Sequence, residues 1–290
     1  MDQTGASALK RIEELLDAGS FVEIGSYISS RNTDFNLKNS ATPKDGVFTG
    51  YGTINSALVY VYSQDAAVLG GSIGEMHAKK IAALYEMAVK MGAPIIGLID
   101  CAGLRLQESF DALDAFGKIY LAQTMASGVI PQIQAVFGLS AGGMAVSNGL
   151  SDFVFMEKNS ARIFVNSPNA IDNNSQDKND LSTAAFQSEH APLVDFVGNE
   201  AEILSGIREL VSLLPANNED NMSYIDCNDD LNRVTPDINT NDPALALREI
   251  SDNGYVLELK KNYAGEMLTA FIRLNGNSIG SGKQKSYIWR

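Results

Sequence analysis

The chain has 290 residues, of which 45% are hydrophobic and 20% are charged, as expected for a globular protein with one large domain or two smaller ones. Its formal net charge of −13 argues against nonspecific binding to nucleic acids or anionic membranes, since both require concentrated positive charge. The two cysteines predict neither a disulfide framework nor a four-cysteine zinc site. We expect no signal peptide from the first residues, and the sequence contains no apolar run of about 20 residues that could span a bilayer, so we expect a cytoplasmic protein.

Helical and strand patterns alternate along the first 214 residues. Helices are predicted at residues 8–18, 73–91, 109–127 and 200–214 from the helical spacing of their apolar residues. Strands are predicted at residues 21–24, 47–54, 58–63, 95–99, 129–136, 153–156 and 162–165. An Asp- and Asn-rich loop, expected to be mobile, covers residues 171–182. The alternation indicates an α/β fold in layers.

The loop Phe137–Ala145 follows the strand predicted at 129–136 and contains the glycine pair Gly142 and Gly143. Glycine reaches backbone conformations closed to other residues and leaves its N–H group unshielded. N–H groups at the beginning of a helix can bind an anion or stabilise a developing oxyanion. We therefore expect this loop to be the chemical centre of the chain.

Two other interpretations of this loop remain open. Residues Gly138–Gly142 match G-x-S-x-G, the pattern around the nucleophile of α/β-hydrolases, which would make Ser140 a nucleophile with His190 as the only downstream histidine. A tight turn with a purely structural role is the second possibility. The other histidine, His77, lies on a predicted helix and is interpreted as a surface or interface residue rather than a base.

Further candidate donors lie in two other loops. Gly70 and Gly71 precede a predicted helix and could receive a phosphate or a carbonyl oxygen. Arg105 follows a buried strand, and its planar guanidinium suits a phosphate. An ion pair of Arg105 with Asp100 or Glu108 fits the sequence equally well.

The chain begins to repeat itself after a stretch rich in Asn, Asp and Pro. Residues 17–24 are echoed by residues 252–259, and residues 48–55 by residues 268–275. Repetition on this scale indicates two copies of one domain, although the tail from residue 281 does not continue the expected strand pattern. The expected organisation is a first domain at 1–225, a linker at 226–245 and the truncated start of a second, homologous domain at 246–290.

Five segments that occur together and in order carry a family resemblance. They are Asp45–Ile54, Gly70–Ile81, Gly92–Gly97, Ala126–Ile133 and Ala141–Gly143. With them the chain resembles the carboxyltransferase subunits of biotin-dependent acyl-CoA carboxylases and decarboxylases, of the propionyl-CoA carboxylase β and methylmalonyl-CoA decarboxylase α types. The resemblance covers roughly residues 10–280.

The resemblance implies a crotonase/ClpP-like superhelix of ββα units in two repeated domains. It also implies that the first domain binds an acyl-CoA and that the second domain of a partner subunit receives carboxybiotin. N–H groups matching Gly142 and Gly143 would stabilise the thioester enolate, with no metal. The residues expected to bind the CoA thioester are Gly70, Gly71, Gly103, Arg105 and Ala141. The implied partners are a biotin carrier protein, biotin carboxylase or decarboxylase subunits, and further carboxyltransferase chains in a homo- or hetero-oligomer.

The chain departs from the family pattern at three places. The usual Ser-Gly-Gly-Ala-Arg is Cys101–Arg105, the usual Thr-Gly-Pro is Asn166–Pro168, and a Gly-Gly-Ala segment is Ser182–Ala185. We expect an acyl-CoA carboxyltransferase domain that needs a complementing second domain from another chain. A non-catalytic assembly subunit and, less favoured, a serine hydrolase are the alternatives.

Overall fold

The computed structural model describes residues 6–31, 42–166, 181–221, 224–230, 232–236, 240 and 242–284. The helices are α1 (Ala6–Leu15), α2 (Glu75–Met91), α3 (Ser109–Ala126), α4 (Gly143–Gly149), α5 (Ala184–Glu189), α6 (Glu200–Leu213) and α7 (Pro243–Ile250). The strands are β1 (Val22–Ile24), β2 (Val47–Ile54), β3 (Ala57–Gln64), β4 (Ile95–Cys101), β5 (Gln132–Ala141), β6 (Phe153–Glu157), β7 (Arg162–Phe164), β8 (Phe196–Gly198), β9 (Val256–Leu259), β10 (Met267–Leu274) and β11 (Asn277–Gln284). The loop predicted at 171–182 and the Asn166–Pro168 departure lie almost entirely outside the described residues.

An eight-stranded sheet with helices on both faces forms the main body, and the α/β prediction is confirmed. Its strand order is β1-β2-β3-β4-β5-β6-β8, with β7 also paired to β5. Along β4, Ile95 and Ile99 enter the core beneath α2 and α3, whereas Ile96 and Leu98 enter the core beneath α1 and α6, as side-chain alternation along a strand requires. The pairs from β3 through β8 are parallel, so the loops after β4 and β5 meet at one edge of the sheet.

Strand β5 is displaced from its predicted position. It begins at Gln132 because Pro131 has no N–H for the ladder, and it continues to Ala141 because its second half pairs with β7. The prediction that a loop begins at Phe137 is therefore wrong. The turn between β5 and α4 consists of Gly142 alone.

The second copy of the sequence repeat has the strand pairing of the first. Strands β9, β10 and β11 form an antiparallel three-stranded sheet preceded by α7, as β1, β2 and β3 are preceded by α1. The equivalent cross-strand pairs are Val22–Tyr51 with Leu257–Phe271, and Thr53–Leu58 with Arg273–Ser278. Residues 281–284 belong to β11, so the expectation that the tail leaves the strand pattern is wrong for these four, and residues 285–290 lie outside the described part.

Each copy uses one aspartate to hold its hairpin turn. The carboxylate of Asp17 accepts the N–H groups of Asn55 and Ser56 at 3.1 and 2.9 Å. The carboxylate of Asp252 likewise accepts the N–H groups at Asn275–Gly276 at 2.9 and 2.7 Å. Both turns have positive φ at their two central residues, as a type I′ hairpin requires. The two copies of the repeat therefore share these hydrogen bonds as well as their sequence similarity.

The stretch before α7 packs on the second copy. Tyr224 forms a β-bridge with Asn277, and the guanidinium of Arg233 donates to the carbonyl oxygen of Ser251 at 2.7 Å. The boundaries 1–225, 226–245 and 246–290 stay predictions. Among the described residues, every helix is too short or too polar to cross a bilayer.

Candidate active site

Loops from β4 and β5 meet at the carboxyl edge of the parallel sheet. A Cβ atom on Gly103, in the loop after β4, would lie 3.2 Å from the carbonyl oxygen of Ala141 at the end of β5. Gly103 has a φ of 103°, which favours glycine. Cys101 shapes the same loop, because its Sγ accepts the Gly103 N–H at 3.3 Å. The two segments that the sequence analysis singled out separately are therefore neighbours.

Gly70 and Gly71 join the same cluster as packing residues. A Cβ on Gly71 would collide with the carbonyl oxygen of Asp100 on β4, so this turn lies directly against the strand. The Gly70 carbonyl accepts the Ala102 N–H at 2.9 Å, and the Gly71 N–H donates to Val68 at 2.9 Å. The Gly71 N–H is thus already paired, and the expectation that it receives a substrate oxygen is corrected.

The glycine pair after β5 separates into two different roles. Gly142 has φ 61° and ψ −125°, a combination essentially restricted to glycine. Its N–H donates to the carbonyl oxygen of Phe164 at 2.9 Å, which extends the β5–β7 pairing by one residue. The Gly142 amide is therefore not free for an enolate, and that part of the expectation is corrected. Gly143 is the first residue of α4, where no intrahelical carbonyl reaches the N–H.

Arg105 is part of a buried ion cluster rather than a phosphate ligand. Its side chain is 0% exposed, as is that of Asp45. The guanidinium donates to the Asp45 carboxylate, to Glu108 at 2.9 Å and to the Ser72 carbonyl at 2.7 Å. Burial raises the pKa of Asp45, and the Arg105 charge opposes that rise. The CoA-binding expectation for Arg105 is thus corrected, and of its two suggested ion pairs it is the one with Glu108 that forms.

Two carboxylates of the same cluster cap α2. Glu108 accepts the Glu75 N–H at 2.6 Å and Asp45 accepts the His77 N–H at 2.8 Å, so both amides are paired within the protein. His77 is fully buried within the chain, which corrects its interpretation as a surface or interface residue. Its Nδ1 lies 2.8 Å from the Asp45 carbonyl oxygen and therefore carries the proton, and its Nε2 faces Gln64 at 3.2 Å. Burial lowers the pKa of His77 well below its ordinary value, and the nearby guanidinium lowers it further.

The serine-hydrolase alternative is wrong. Ser140 is 0% exposed, and its Oγ accepts a hydrogen bond from the Asn148 side chain at 2.9 Å. His190, the proposed base, follows α5, and its ring contacts Phe186 at a centroid distance of 5.0 Å. A buried serine with an amide donor on its oxygen has neither the access nor the general base that nucleophilic catalysis requires.

Side chains on α3 complete the site, and the sequence pattern gave no sign of them. The Tyr120 hydroxyl donates to the Gly143 carbonyl oxygen at 2.7 Å. Burial raises the pKa of Tyr120, so the hydroxyl keeps its proton at neutral pH.

Burial also raises the pKa of Cys101, at the end of β4, to about 12, which leaves the thiol neutral. Among the described residues, no group of three or more His, Cys, Asp or Glu side chains could hold a metal ion.

A glycine turn followed by a helix N-terminal amide that meets no acceptor among the described residues, at the carboxyl edge of a parallel sheet, is an arrangement suited to an oxyanion. The chain belongs to the carboxyl transferase domain family, which matches residues 3–281. It is 37% identical over 287 residues to the propionyl-CoA carboxylase beta chain of Roseobacter denitrificans, covering 94% of this chain and 56% of that one. It is 39% identical over 288 residues to the methylmalonyl-CoA decarboxylase subunit alpha of Veillonella parvula, with the same two coverages.

A solved structure shares the fold. Transcarboxylase 12S, with methylmalonyl-coenzyme A and methylmalonic acid bound, superposes with a TM-score of 0.91 at 34% identity over 96% of this chain and 56% of that one. The crotonase/ClpP-like α/β fold implied by the family resemblance is thereby confirmed. The chain spans about half the length of these relatives.

Proposed function

We propose that this chain binds an acyl-CoA thioester and takes part in carboxyl transfer between carboxybiotin and the acyl-CoA. The observation that carries the proposal is the Gly143 N–H at the start of α4, which has no acceptor within the described part of the chain and lies in a chain of the carboxyl transferase domain family. Carboxyl transfer at the α-carbon of a thioester builds negative charge on the thioester oxygen. A preorganised backbone N–H stabilises that charge in the transition state more than in the ground state.

We propose Leu104 as the second donor in place of Gly142. Its neighbours bond to Ile73: the Gly103 carbonyl accepts the Ile73 N–H at 2.9 Å, and the Arg105 N–H donates to the Ile73 carbonyl at 3.0 Å. In such a parallel bridge the intervening residue points its own N–H to the opposite side. The Leu104 N–H therefore points away from Ile73. The residue before it, Gly103, lies against the end of β5.

Turnover is proposed to require a second domain and a biotin carrier protein. Relatives of about twice this length carry the names propionyl-CoA carboxylase and methylmalonyl-CoA decarboxylase. We propose that residues 1–225 form the acyl-CoA domain and that residues 246–290 begin a second, homologous one, with a carboxyltransferase oligomer as the working assembly. The acyl group is proposed to be of the acetyl, propionyl or methylmalonyl class, and a cytoplasmic location stays a prediction from the sequence.

Isothermal titration with acetyl-, propionyl- and methylmalonyl-CoA tests the binding step directly. We expect at least one thioester to bind more tightly than free CoA, because only the thioester presents an oxygen to the two N–H groups. Gly142→Ala is the variant to compare with the wild type. A φ of 61° is strained for alanine, so the substitution would change the turn that directs the Gly143 N–H. Absence of binding by all three thioesters would overturn the proposal.

A non-catalytic assembly subunit is the second candidate. The pairing of the Gly142 N–H with Phe164 and the altered loop Cys101–Arg105 favour it, since both reduce the number of open donors. Co-purification with a full-length carboxyltransferase chain, together with no heat of binding for any thioester, would support this alternative over the enzymatic one.

A further inference from the structure

The short helix α4 is docked on α3 by two polar side chains. The Tyr120 hydroxyl donates to the Gly143 carbonyl at 2.7 Å. One turn further along both helices, Gln123 accepts from the Ser147 hydroxyl at 2.8 Å and donates to the Ser147 carbonyl at 3.2 Å. Because α4 has seven residues, about two turns, its position depends on these contacts more than on helix propensity.

Position 143 must be glycine because α3 leaves no room for a side chain there. A Cβ on Gly143 would lie 2.7 Å from the Tyr120 hydroxyl and 2.8 Å from the Phe116 ring. A Cβ on Gly142, by contrast, would meet no described atom within 4 Å. The back of the turn is therefore filled by α3, whereas its front meets none of the described residues at that distance.

The peptide unit between Gly142 and Gly143 is held from both sides. The preceding peptide is fixed by the Gly142 N–H bond to Phe164, and the following one by the Tyr120 bond to the Gly143 carbonyl. The Gly142 carbonyl accepts the Ala145 N–H at 3.1 Å. The Gly143 N–H is the one group of this turn without an acceptor among the described residues, and its direction is set by its neighbours.

We propose that Tyr120 is a positioning residue that aims the Gly143 N–H at the thioester oxygen. The inference rests on the proposed acyl-CoA binding and adds a specific residue that acts through the backbone. Loss of the hydroxyl would remove the side-chain restraint on the Gly143–Met144 peptide and leave only the bonds of the first turn of α4 to hold it, so the neighbouring N–H would be less well aligned. Alignment matters because hydrogen bonds weaken steeply as the donor angle departs from linearity.

The test compares propionyl-CoA with its thioether analogue S-propyl-CoA, which lacks the thioester oxygen. The ratio of the two dissociation constants reports the oxygen contact alone. We expect Tyr120→Phe to reduce the preference for the thioester about fivefold, the size of one ordinary hydrogen bond, while the thioether affinity stays unchanged. Tyr255→Phe is the matched control, because it removes a tyrosine hydrogen bond of 2.6 Å to Glu209 elsewhere in the protein, and it should leave the ratio unchanged.

The outcomes separate this inference from the proposed function. A wild-type protein that binds neither ligand, and neither acetyl-CoA nor methylmalonyl-CoA, refutes the proposed function, and one that binds propionyl-CoA and S-propyl-CoA equally refutes the contact between the Gly143 N–H and the thioester oxygen. A wild-type preference that survives intact in Tyr120→Phe refutes the role of Tyr120. If circular dichroism shows that Tyr120→Phe is unfolded, Gly143→Ala replaces it: the added methyl group displaces the same hydroxyl and should lower the thioester preference, and an unchanged preference would again refute the role.

Discussion

Replacing Arg105 by methionine removes the cation from the buried cluster while keeping a long side chain. The change leaves the carboxylates of Asp45 and Glu108 next to each other, and both side chains are 0% exposed. It also leaves the Ser72 carbonyl without the donor that lies 2.7 Å away. Because these groups hold the loop after β4 against the beginning of α2, the damage should reach the fold as a whole.

The expected loss is about 3–5 kcal/mol of unfolding free energy, which is typical when one partner of a buried ion pair is removed. Arg31→Ala is the matched control, since Arg31 is 47% exposed and pairs with Glu75 at 3.0 Å, and a surface pair contributes about 0–1 kcal/mol. Urea unfolding followed by far-UV circular dichroism measures both variants. Burial raises the pKa of Asp45 above its ordinary 3.8, and loss of the guanidinium removes the opposing effect. The pKa of Asp45 in the folded variant then lies further above that of the unfolded chain, so the deficit should grow as pH rises above 3.8.

A phosphate-binding Arg105 would behave in the opposite way. An exposed ligand residue could be replaced with little change in stability, and the variant would lose affinity for CoA instead. An Arg105→Met protein with the urea midpoint of the wild type and weakened CoA binding would therefore refute the buried-cluster interpretation and restore the assignment made from the sequence.

Three further predictions concern single side chains. Burial lowers the pKa of Lys80 to about 8 from 10.5, so the folded protein binds fewer protons than the unfolded chain between these values. Its urea stability relative to Lys80→Met should rise with pH there by up to about 1.4 kcal/mol per pH unit, and a flat difference would contradict this. Hydrogen bonds from Ser56 and Arg208 lower the pKa of Asp17, so the Tm deficit of Asp17→Asn should be full near neutral pH and shrink as pH falls below 3.8. A fluorophosphonate probe should leave Ser140 unlabelled in mass spectra because the hydroxyl is buried, and labelling would revive the hydrolase alternative.

Local sequence patterns predicted the parts of the fold that depend on local chemistry. Strand β2 has its predicted limits, because its alternating residues lead into a turn at Asn55–Ser56 that strongly favours one register. The buried strand at 95–99 was found from its continuous apolar run, which is typical of a strand covered on both faces. The repeat was visible for a similar reason, since Asp17 and Asp252 each bind the hairpin turn of their own copy, although the turns begin 38 and 23 positions further along the chain.

The ion cluster could not be predicted from spacing. Arg105 and Asp45 are 60 positions apart, and nothing in either segment indicates that they meet. The sequence favours a surface role for an arginine after a strand, because charged residues are seldom fully buried. The cluster forms because β2 runs antiparallel to β3, and β3 pairs in parallel with β4. The turn before β2 and the loop after β4 therefore both lie at the beginning of α2.

The two adjacent glycines show where a motif ceases to predict chemistry. A Gly-Gly pair before a helix suggests two equivalent donors, yet backbone N–H groups are almost always paired when they are buried. Strand β7 supplies a carbonyl to Gly142, so the first amide belongs to the sheet. Gly143 lies one residue beyond the ladder, with α3 behind it, and its amide is the one that we propose for the oxyanion. The length of β7, a strand of three residues, thus decides how many donors this loop can offer.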